Sequence, residues 1–499
     1  MTSPTPATAA GYHRATSYRR HRLAPHALDW NNPPALTKPY PNLPRLALDR
    51  DLDLPKIDYF QHVPRPMGTI SRPSASMDLK QLSTVLYLTH TVTARSMHAG
   101  QPFYYRSVAS AGALYPFELY LAAHHVDGLN RGLYHFDPLT FSLTALRQGR
   151  LPVVPPAAAT FYISGIFFRS AWKYRSRAYR YVLLDAGHLL ENLRLALGAL
   201  NHAFSIDLDF DDDRTAALLG VDPEREVCLA AMHLHTGSST DHPEDPAGAL
   251  ESLGGDIRGA SRVAAREVVY PEILGIHRAG SGGGHRTVDA LSNPAVIVRQ
   301  PAAWLDLDAG PSSAAGDYVG VLRQRRSRRN FIPAAVSPES FTTFLKTMGA
   351  GMGPGSGMPD VYRSALAVGI LVGGNMPVPA GFYHLDPENM RLGEIARGAF
   401  IESMAAACLD QMWLKHAGLH LLLLTDTKSL DRVWGARGYR YAMIEAGRLG
   451  QQAYLTATAL GWGACGIGAI YDREAADLIG LTEDGALLYL IGIGPIKTR

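Results

Sequence analysis

The sequence predicts an α+β protein built from two copies of one domain, each with a mixed central sheet flanked by helices. Three observations predict it: a composition suited to more than one core, an internal repeat over most of the chain, and short apolar runs alternating with long helical stretches. The 499 residues are 46% hydrophobic and 19% charged, an ordinary globular balance for two or three cores. With 48 basic against 45 acidic residues, no general field for nucleic acid or a membrane surface is expected, so any anion site must be local. Cys228, Cys408 and Cys465 lack metal or disulfide spacing. That suits structural thiols in a reducing compartment, with no metal site. Arg14, Arg19, Arg20 and Arg22 precede no apolar run, and no apolar stretch is long enough to span a bilayer, so a soluble cytoplasmic protein is expected.

The repeat organises the chain. Tyr179-Arg180-Tyr181 followed by Asp185-Ala186-Gly187 returns as Tyr439-Arg440-Tyr441 followed by Glu445-Ala446-Gly447, and the register runs ungapped to Leu218-Leu219-Gly220 against Leu478-Ile479-Gly480. Upstream, Gly132-Leu133-Tyr134-His135-Phe136-Asp137-Pro138 matches Gly381-Phe382-Tyr383-His384-Leu385-Asp386-Pro387, and Tyr105-Arg106-Ser107 matches Tyr362-Arg363-Ser364. So long a period excludes a solenoid and leaves a dimer fused into one chain, an intramolecular pseudo-dimer that is monomeric or a higher oligomer. A stretch from Thr236 to Arg262, rich in Gly, Ser, Pro and Asp, reads as a connector. The expected boundaries are a first domain over 1–240, a linker over 241–265 and a second domain over 266–499. Leu119 to Ala123 and Leu419 to Leu424 read as strands, and Tyr439 to Leu460 as a helix. Ser337-Pro338-Glu339 ahead of Phe341, Phe344 and Leu345 supplies an N-cap, a first-turn proline and an apolar face, so a helix begins there.

Just before that helix, Arg325, Arg326, Ser327 and Arg329 sit in the most basic segment, Arg323 to Phe331. Guanidinium groups give phosphate planar, bidentate and permanently charged donors. A solvated basic loop or a nucleic-acid patch is the alternative for this segment alone, and the near-neutral balance elsewhere argues against nucleic acid. Gly461 to Ala469, with Gly466, Ile467, Gly468 and Ala469 at its end, follows a helix and lets backbone amides approach a flat ligand. It equally suits a helix-to-strand turn. The chain closes on Lys497 and Arg499, two cations that either reach the same anion or are solvated.

Together these three segments resemble the nitroreductase superfamily, in which an Arg-Arg-Ser-x-Arg-x-Phe segment, a glycine-containing turn and terminal basic residues serve FMN at a dimer interface. In the first half, Ser107, Ser110, Ala111, Gly112, Ala113 and Leu114 belong to a run ending Tyr115-Pro116. That run is similar to the Ser-Ala-Gly-Ala-Leu-Tyr-Pro signature of SagB-type dehydrogenases, the azoline oxidases of thiazole and oxazole peptide pathways. The resemblance extends to Tyr12-His13 through Asp29-Trp30, and to Ala171-Trp172-Lys173-Tyr174. It implies tandem nitroreductase domains, FMN contacts from these residues, Lys173 and Tyr174 as the catalytic base, a peptide substrate and a cyclodehydratase complex as partner.

The copies have also diverged in complementary ways. Asn201, Ala203, Ile206 and Leu208 stand opposite Gly461, Gly463, Gly466 and Gly468, while Gly237 and Ser239 face Lys497 and Arg499, so the first copy lacks the anion-binding set. The second copy runs from Ser364 into Ala365-Leu366-Ala367 without the Ser-Ala-Gly-Ala-Leu-Tyr-Pro run, and Trp434-Gly435-Ala436 is matched with Trp172-Lys173-Tyr174. One FMN per chain is expected, served by both halves. The alternatives are an NAD(P)H-dependent nitro or quinone reductase and a flavin-free scaffold in a peptide-modifying complex.

Overall fold

Leu419–Asp426 is an almost unbroken apolar run, the pattern of a strand covered on both faces. It lies inside a seven-stranded sheet whose order is Ala303–Asp306, Arg391–Arg397, Gly381–Asp386, Ala367–Val372, Leu419–Asp426, Gly485–Gly494 and Gly463–Ile467. The computed structural model describes residues 5–23, 26–66, 76–98, 101–151, 157–235, 253–282, 300–307 and 314–497. A second seven-stranded sheet runs Arg45–Ala47, Ser142–Gln148, Gly132–Asp137, Phe117–Ala123, Ala159–Ile166, Glu226–His235 and Ala203–Asp207. The two orders correspond strand for strand, so the sequence repeat is a repeat of topology. Every pairing within both sheets is antiparallel, where a mixed sheet was expected.

A long helix accompanies each sheet, Ala178–Ala199 in the first copy and Arg437–Ala459 in the second, both buried along nearly their whole length. Pro338–Met352 begins as expected, with the Ser337 hydroxyl accepting from the Ser340 amide and Pro338 in the first turn. The three cysteines are buried and in no disulfide among the described residues, and burial pushes the Cys408 thiol well up, which makes it inert.

The chain divides into two compact units, one of 27–55 and 66–286, the other of 1–26, 56–65 and 287–499. This differs from the expected chain-order boundary at both ends of the first copy. The expected linker is also ordered from 253 onward. Gly255–Gly259 forms a helical turn, Ile257 and Ala260 join the core around Leu219 and Val221, and Ser261 donates to buried Glu226. Residues 241–252 of that linker lie outside the described residues.

The reason for the different boundary is a repeat element too short to stand out in the sequence. Gly11-Tyr12-His13-Arg14-Ala15 and Gly275-Ile276-His277-Arg278-Ala279 share Gly-x-His-Arg-Ala and occupy helices Ala9–Ala15 and Pro271–Ala279. In one unit His13 Nδ1 lies 3.2 Å from the Tyr439 hydroxyl, and Nε2 lies 3.5 Å from Asp472. In the other His277 Nδ1 lies 3.2 Å from the Tyr179 hydroxyl, and Nε2 lies 3.8 Å from Asp212. Tyr439 and Tyr179, like Asp472 and Asp212, are repeat partners. Each copy therefore opens with the same histidine helix, and each such helix belongs to the unit that holds the sheet of the other copy.

Candidate functional site

Lys173 and Tyr174 end the helix Phe167–Tyr174, which follows directly from the sheet strand Ala159–Ile166. Both are partly exposed, and the Lys173 ammonium lies 5.5 Å from the centre of the Tyr174 ring. Tyr174 also packs on Tyr181, with ring centres 4.2 Å apart. Trp172 donates its indole N–H to the Asp29 carbonyl at 3.0 Å and meets Trp30 edge-on, so the two tryptophan segments noted in the sequence lie together. After Tyr174 the chain turns through Arg175 at φ 51° and ψ −136°, a region sparsely populated by residues other than glycine.

The equivalent helix in the second copy, Thr427–Trp434, ends in Gly435 at φ 61° and ψ −155°. This corrects the sequence alignment: Gly435 is the counterpart of Arg175, and Val433 and Trp434 are the counterparts of Lys173 and Tyr174. The Lys-Tyr pair is still absent from the second copy.

Facing the pair is the loop that carries Ala111, Gly112, Ala113 and Leu114, all at least partly exposed. Three of its residues have left-handed backbone, Gly112 (φ 65°), Ala113 (φ 55°) and Tyr115 (φ 45°). A Cβ on Gly112 would lie 2.9 Å from the Tyr174 hydroxyl and 3.4 Å from Lys173 Nζ. Glycine is needed there both for conformation and for space. The two serines turn inward. Ser107 is buried, with its hydroxyl accepting from the Thr91 amide at 3.2 Å, and Ser110 donates to Asp185 at 2.6 Å while accepting from the Tyr115 amide at 2.9 Å. Val92–His98 and Gln101–Arg106 pair antiparallel ahead of this loop, whereas the matched Tyr362-Arg363 ends the short helix Asp360–Arg363.

Asp185 is the site residue that sequence reasoning missed. In the sequence it stands only as part of the repeat, opposite Glu445. Its carboxylate takes the Ser110 hydroxyl and the Ala111 amide, the latter at 3.2 Å to each oxygen. Burial pushes it up to about 7 despite those hydrogen bonds, because a desolvated carboxylate loses more than these donors return.

The residues expected to bind an anion lie within the other unit, along one sheet edge. Ser327 bridges Ala464, and the Arg328 amide donates to the Ala464 carbonyl at 2.8 Å. Farther on, Phe331 bridges Ile496, and the Lys497 amide donates to the Asn330 carbonyl. Buried Arg325 lies over the Tyr454 ring at 5.5 Å, Arg329 over the Trp413 ring at 5.4 Å, and Phe331 stacks on Trp413. Arg326 donates to the carbonyls of Arg323 and Arg325. Arg328, Arg329 and Lys497 are exposed and make no ion pair among the described residues. Guanidinium groups without carboxylate partners on a rigid edge are the donor set a phosphate needs. Arg499 lies outside the described residues.

The glycine segment differs from the expected ligand-facing turn. The turn itself is Gly461 at φ 74°, and Gly463–Ile467 is an edge strand paired with Gly485–Gly494. The Gly466 amide donates to the Tyr454 hydroxyl at 2.6 Å, which also meets Ser327 at 3.0 Å. A Cβ on Gly466 would overlap the Tyr489 hydroxyl. Gly468 and Ala469, just past the strand, are partly exposed. Tyr454 thus joins the basic segment to the glycine strand, a link across distant positions that no motif marks.

These features define a class: two antiparallel α+β units, one presenting a Lys-Tyr pair under a strained loop, the other a cationic sheet edge. The family model described as "Nitroreductase family" matches residues 74–237 and 322–495, so the chain belongs to the nitroreductase family and carries its domain twice. The chain is 34% identical over 115 residues to the protein named "Putative nitroreductase MJ1384" of Methanocaldococcus jannaschii, covering 23% of this chain and 58% of that one. It is 28% identical over 156 residues to the trifolitoxin-processing protein TfxB of Rhizobium leguminosarum bv. trifolii, covering 28% of this chain and 42% of that one. The chain thus spans about half the length of these curated relatives. A nitroreductase-named crystal structure from Anabaena variabilis matches 98% of this chain and all of its own at a TM-score of 0.76 and 23% identity, a likeness of fold. No helix among the described residues is long and apolar enough to cross a membrane.

Proposed function

We propose that this protein is an FMN-dependent oxidoreductase that converts thiazolines or oxazolines in a peptide to thiazoles or oxazoles. The observation that carries the reading is the seating of Lys173 and Tyr174 against the Ser110–Tyr115 loop, with Gly112 leaving room for the Tyr174 hydroxyl. Likeness to a trifolitoxin-processing protein supports a peptide substrate, and a cyclodehydratase would supply the azoline. Arg325, Arg326, Ser327, Arg329 and Lys497 would hold the FMN phosphate, and Gly468 and Ala469 in the same unit would border its ring. The complementary losses between the copies support one flavin per chain.

When bound, FMN would accept the hydride that leaves the azoline ring. The chain's own task is the proton on the neighbouring ring carbon, acidified by the adjacent carbonyl and imine. A phenol titrates near 10 in water, and an ammonium beside it favours the phenolate. On this reading Lys173, 5.5 Å from the Tyr174 ring centre, would give Tyr174 that bias, and Tyr174 would take the proton. Purified full-length protein incubated with an azoline peptide and oxygen should yield the dehydrogenated peptide by mass spectrometry without NAD(P)H. Turnover of nitro compounds or quinones at the expense of NAD(P)H, with azolines untouched, would select the reductase reading that the family name favours.

A further inference from the structure

A buried carboxyl normally survives only when a cation compensates it. The second copy follows that rule: Glu445 is clasped by Arg448 through two bonds of 2.6 and 2.7 Å. Asp185, at the same repeat position and equally buried, has no such cation among the described residues. Its carboxylate is held by the hydroxyl of Ser110 and the amide of Ala111, both in the loop that faces Lys173 and Tyr174. Ser110 relays the hold to Tyr115 by accepting its amide at 2.9 Å. Both ends of a loop with three left-handed residues are therefore tied to one point on the long helix Ala178–Ala199. Between those ties stands Gly112, against the Tyr174 hydroxyl and Lys173.

We infer that Asp185 is a positioning residue for the Lys173–Tyr174 site, clamping the Ser110–Tyr115 loop in the strained shape that orients the pair. The second copy has neither the loop nor the pair, and there the acid is neutralised inside the helix. The inference rests on the proposed role of Lys173 and Tyr174 in proton transfer. Buried, unneutralised carboxyls with shifted titration concentrate at functional sites, and the push of Asp185 up to about 7 fits that pattern.

The test compares full-length wild type, Asp185→Ala and Asp185→Asn by amide hydrogen exchange and by azoline turnover. Asp185→Ala should speed exchange at Ala111 and Tyr115 about tenfold or more, since hydrogen bonds to a charged group contribute on that scale. It should lower kcat by about 10- to 100-fold with KM little changed, as expected for misplacement of reacting groups. Asp185→Asn, whose amide oxygen still accepts from the loop, should restore most of both. Unchanged loop exchange in both variants would overturn the clamp, and so would faster exchange spread evenly along the Ala178–Ala199 helix. Loosened loop amides with full kcat would overturn the positioning role. If wild type does not oxidise azolines, the proposed function falls, and loop exchange alone decides whether Asp185 is a clamp.

Discussion

Replacing Gly112 with Ala isolates the contact on which the site reading depends. An alanine at φ 65° pays roughly 1–2 kcal/mol for left-handed backbone, which lowers Tm by about 2–4 °C in a domain of this size. Its Cβ would also stand 2.9 Å from the Tyr174 hydroxyl oxygen, where ordinary contact begins near 3.4 Å, so the phenol must retreat by about half an ångström or more. Since a displacement near 1 Å costs about 10²-fold in rate, turnover should fall between roughly 10- and 100-fold with FMN still bound.

Gly149 provides the control, because it has φ 90° and a Cβ added there would meet nothing within 4 Å. Gly149→Ala should show a similar loss of Tm and full turnover. The assay is azoline dehydrogenation by mass spectrometry, with Tm and bound flavin measured on the same samples. If both variants keep full activity at similar Tm, contact between the loop and Tyr174 does not matter to chemistry and the site is misassigned. If Gly112→Ala loses flavin and turnover in parallel, the loop serves the cofactor and not the pair.

Lys173→Ala and Tyr174→Phe should each slow turnover by about 10²- to 10⁴-fold, with far less than additive effects when combined. Val433→Ala, at the true counterpart of Lys173, should change turnover little, and equal losses from both sets would indicate two active centres. Arg326→Ala and Arg329→Ala should lower FMN content by removing phosphate donors, and heat-released flavin from wild type should be FMN near one per chain. Unchanged content in both variants would remove the sheet edge from the site. Asp185, raised to about 7 by burial, makes the folded state favour its neutral form, so its ionisation costs stability increasingly as pH rises from about 4 through 7. The Tm of Asp185→Asn relative to wild type should therefore rise between pH 5 and pH 8, and a flat difference would contradict the shift.

Much of this fold was legible because repetition is visible without any alignment to other proteins. Tyr-Arg-Tyr before Asp/Glu-Ala-Gly marks the long helices, and Gly-x-Tyr-His-x-Asp-Pro marks equivalent strands. The Gly-x-His-Arg-Ala helices were not legible because a five-residue match on a short element carries little signal, and their exchange between units is a matter of packing that no local pattern encodes. The alignment at Lys173 slipped because Trp172 and Trp434 attract one another as a motif, whereas the backbone matches Arg175 with Gly435 through a shared unusual turn. Tyr454 and Asp185 were missed for a related reason: each acts by joining segments far apart in the chain, so its role exists only once the chain is folded.

That same turn yields a last prediction. At the end of the helix that lacks the pair, the chain uses Gly435, which adopts φ 61° without penalty. At the end of the helix that carries the pair it uses Arg175 at φ 51° and ψ −136°, a cost of order 1–3 kcal/mol. A duplicated fold drifting freely has no reason to keep strain where its own sister copy shows the relaxed solution, so the strain should be tied to function. Arg175→Gly should then raise Tm by about 2 °C or more while slowing azoline turnover, because the relaxed turn no longer fixes Tyr174 just before it. A variant that gains stability and keeps full turnover would show that Arg175 is inherited strain with no bearing on the pair. A variant that loses stability would mean that the arginine side chain, and not the backbone angle, governs this turn.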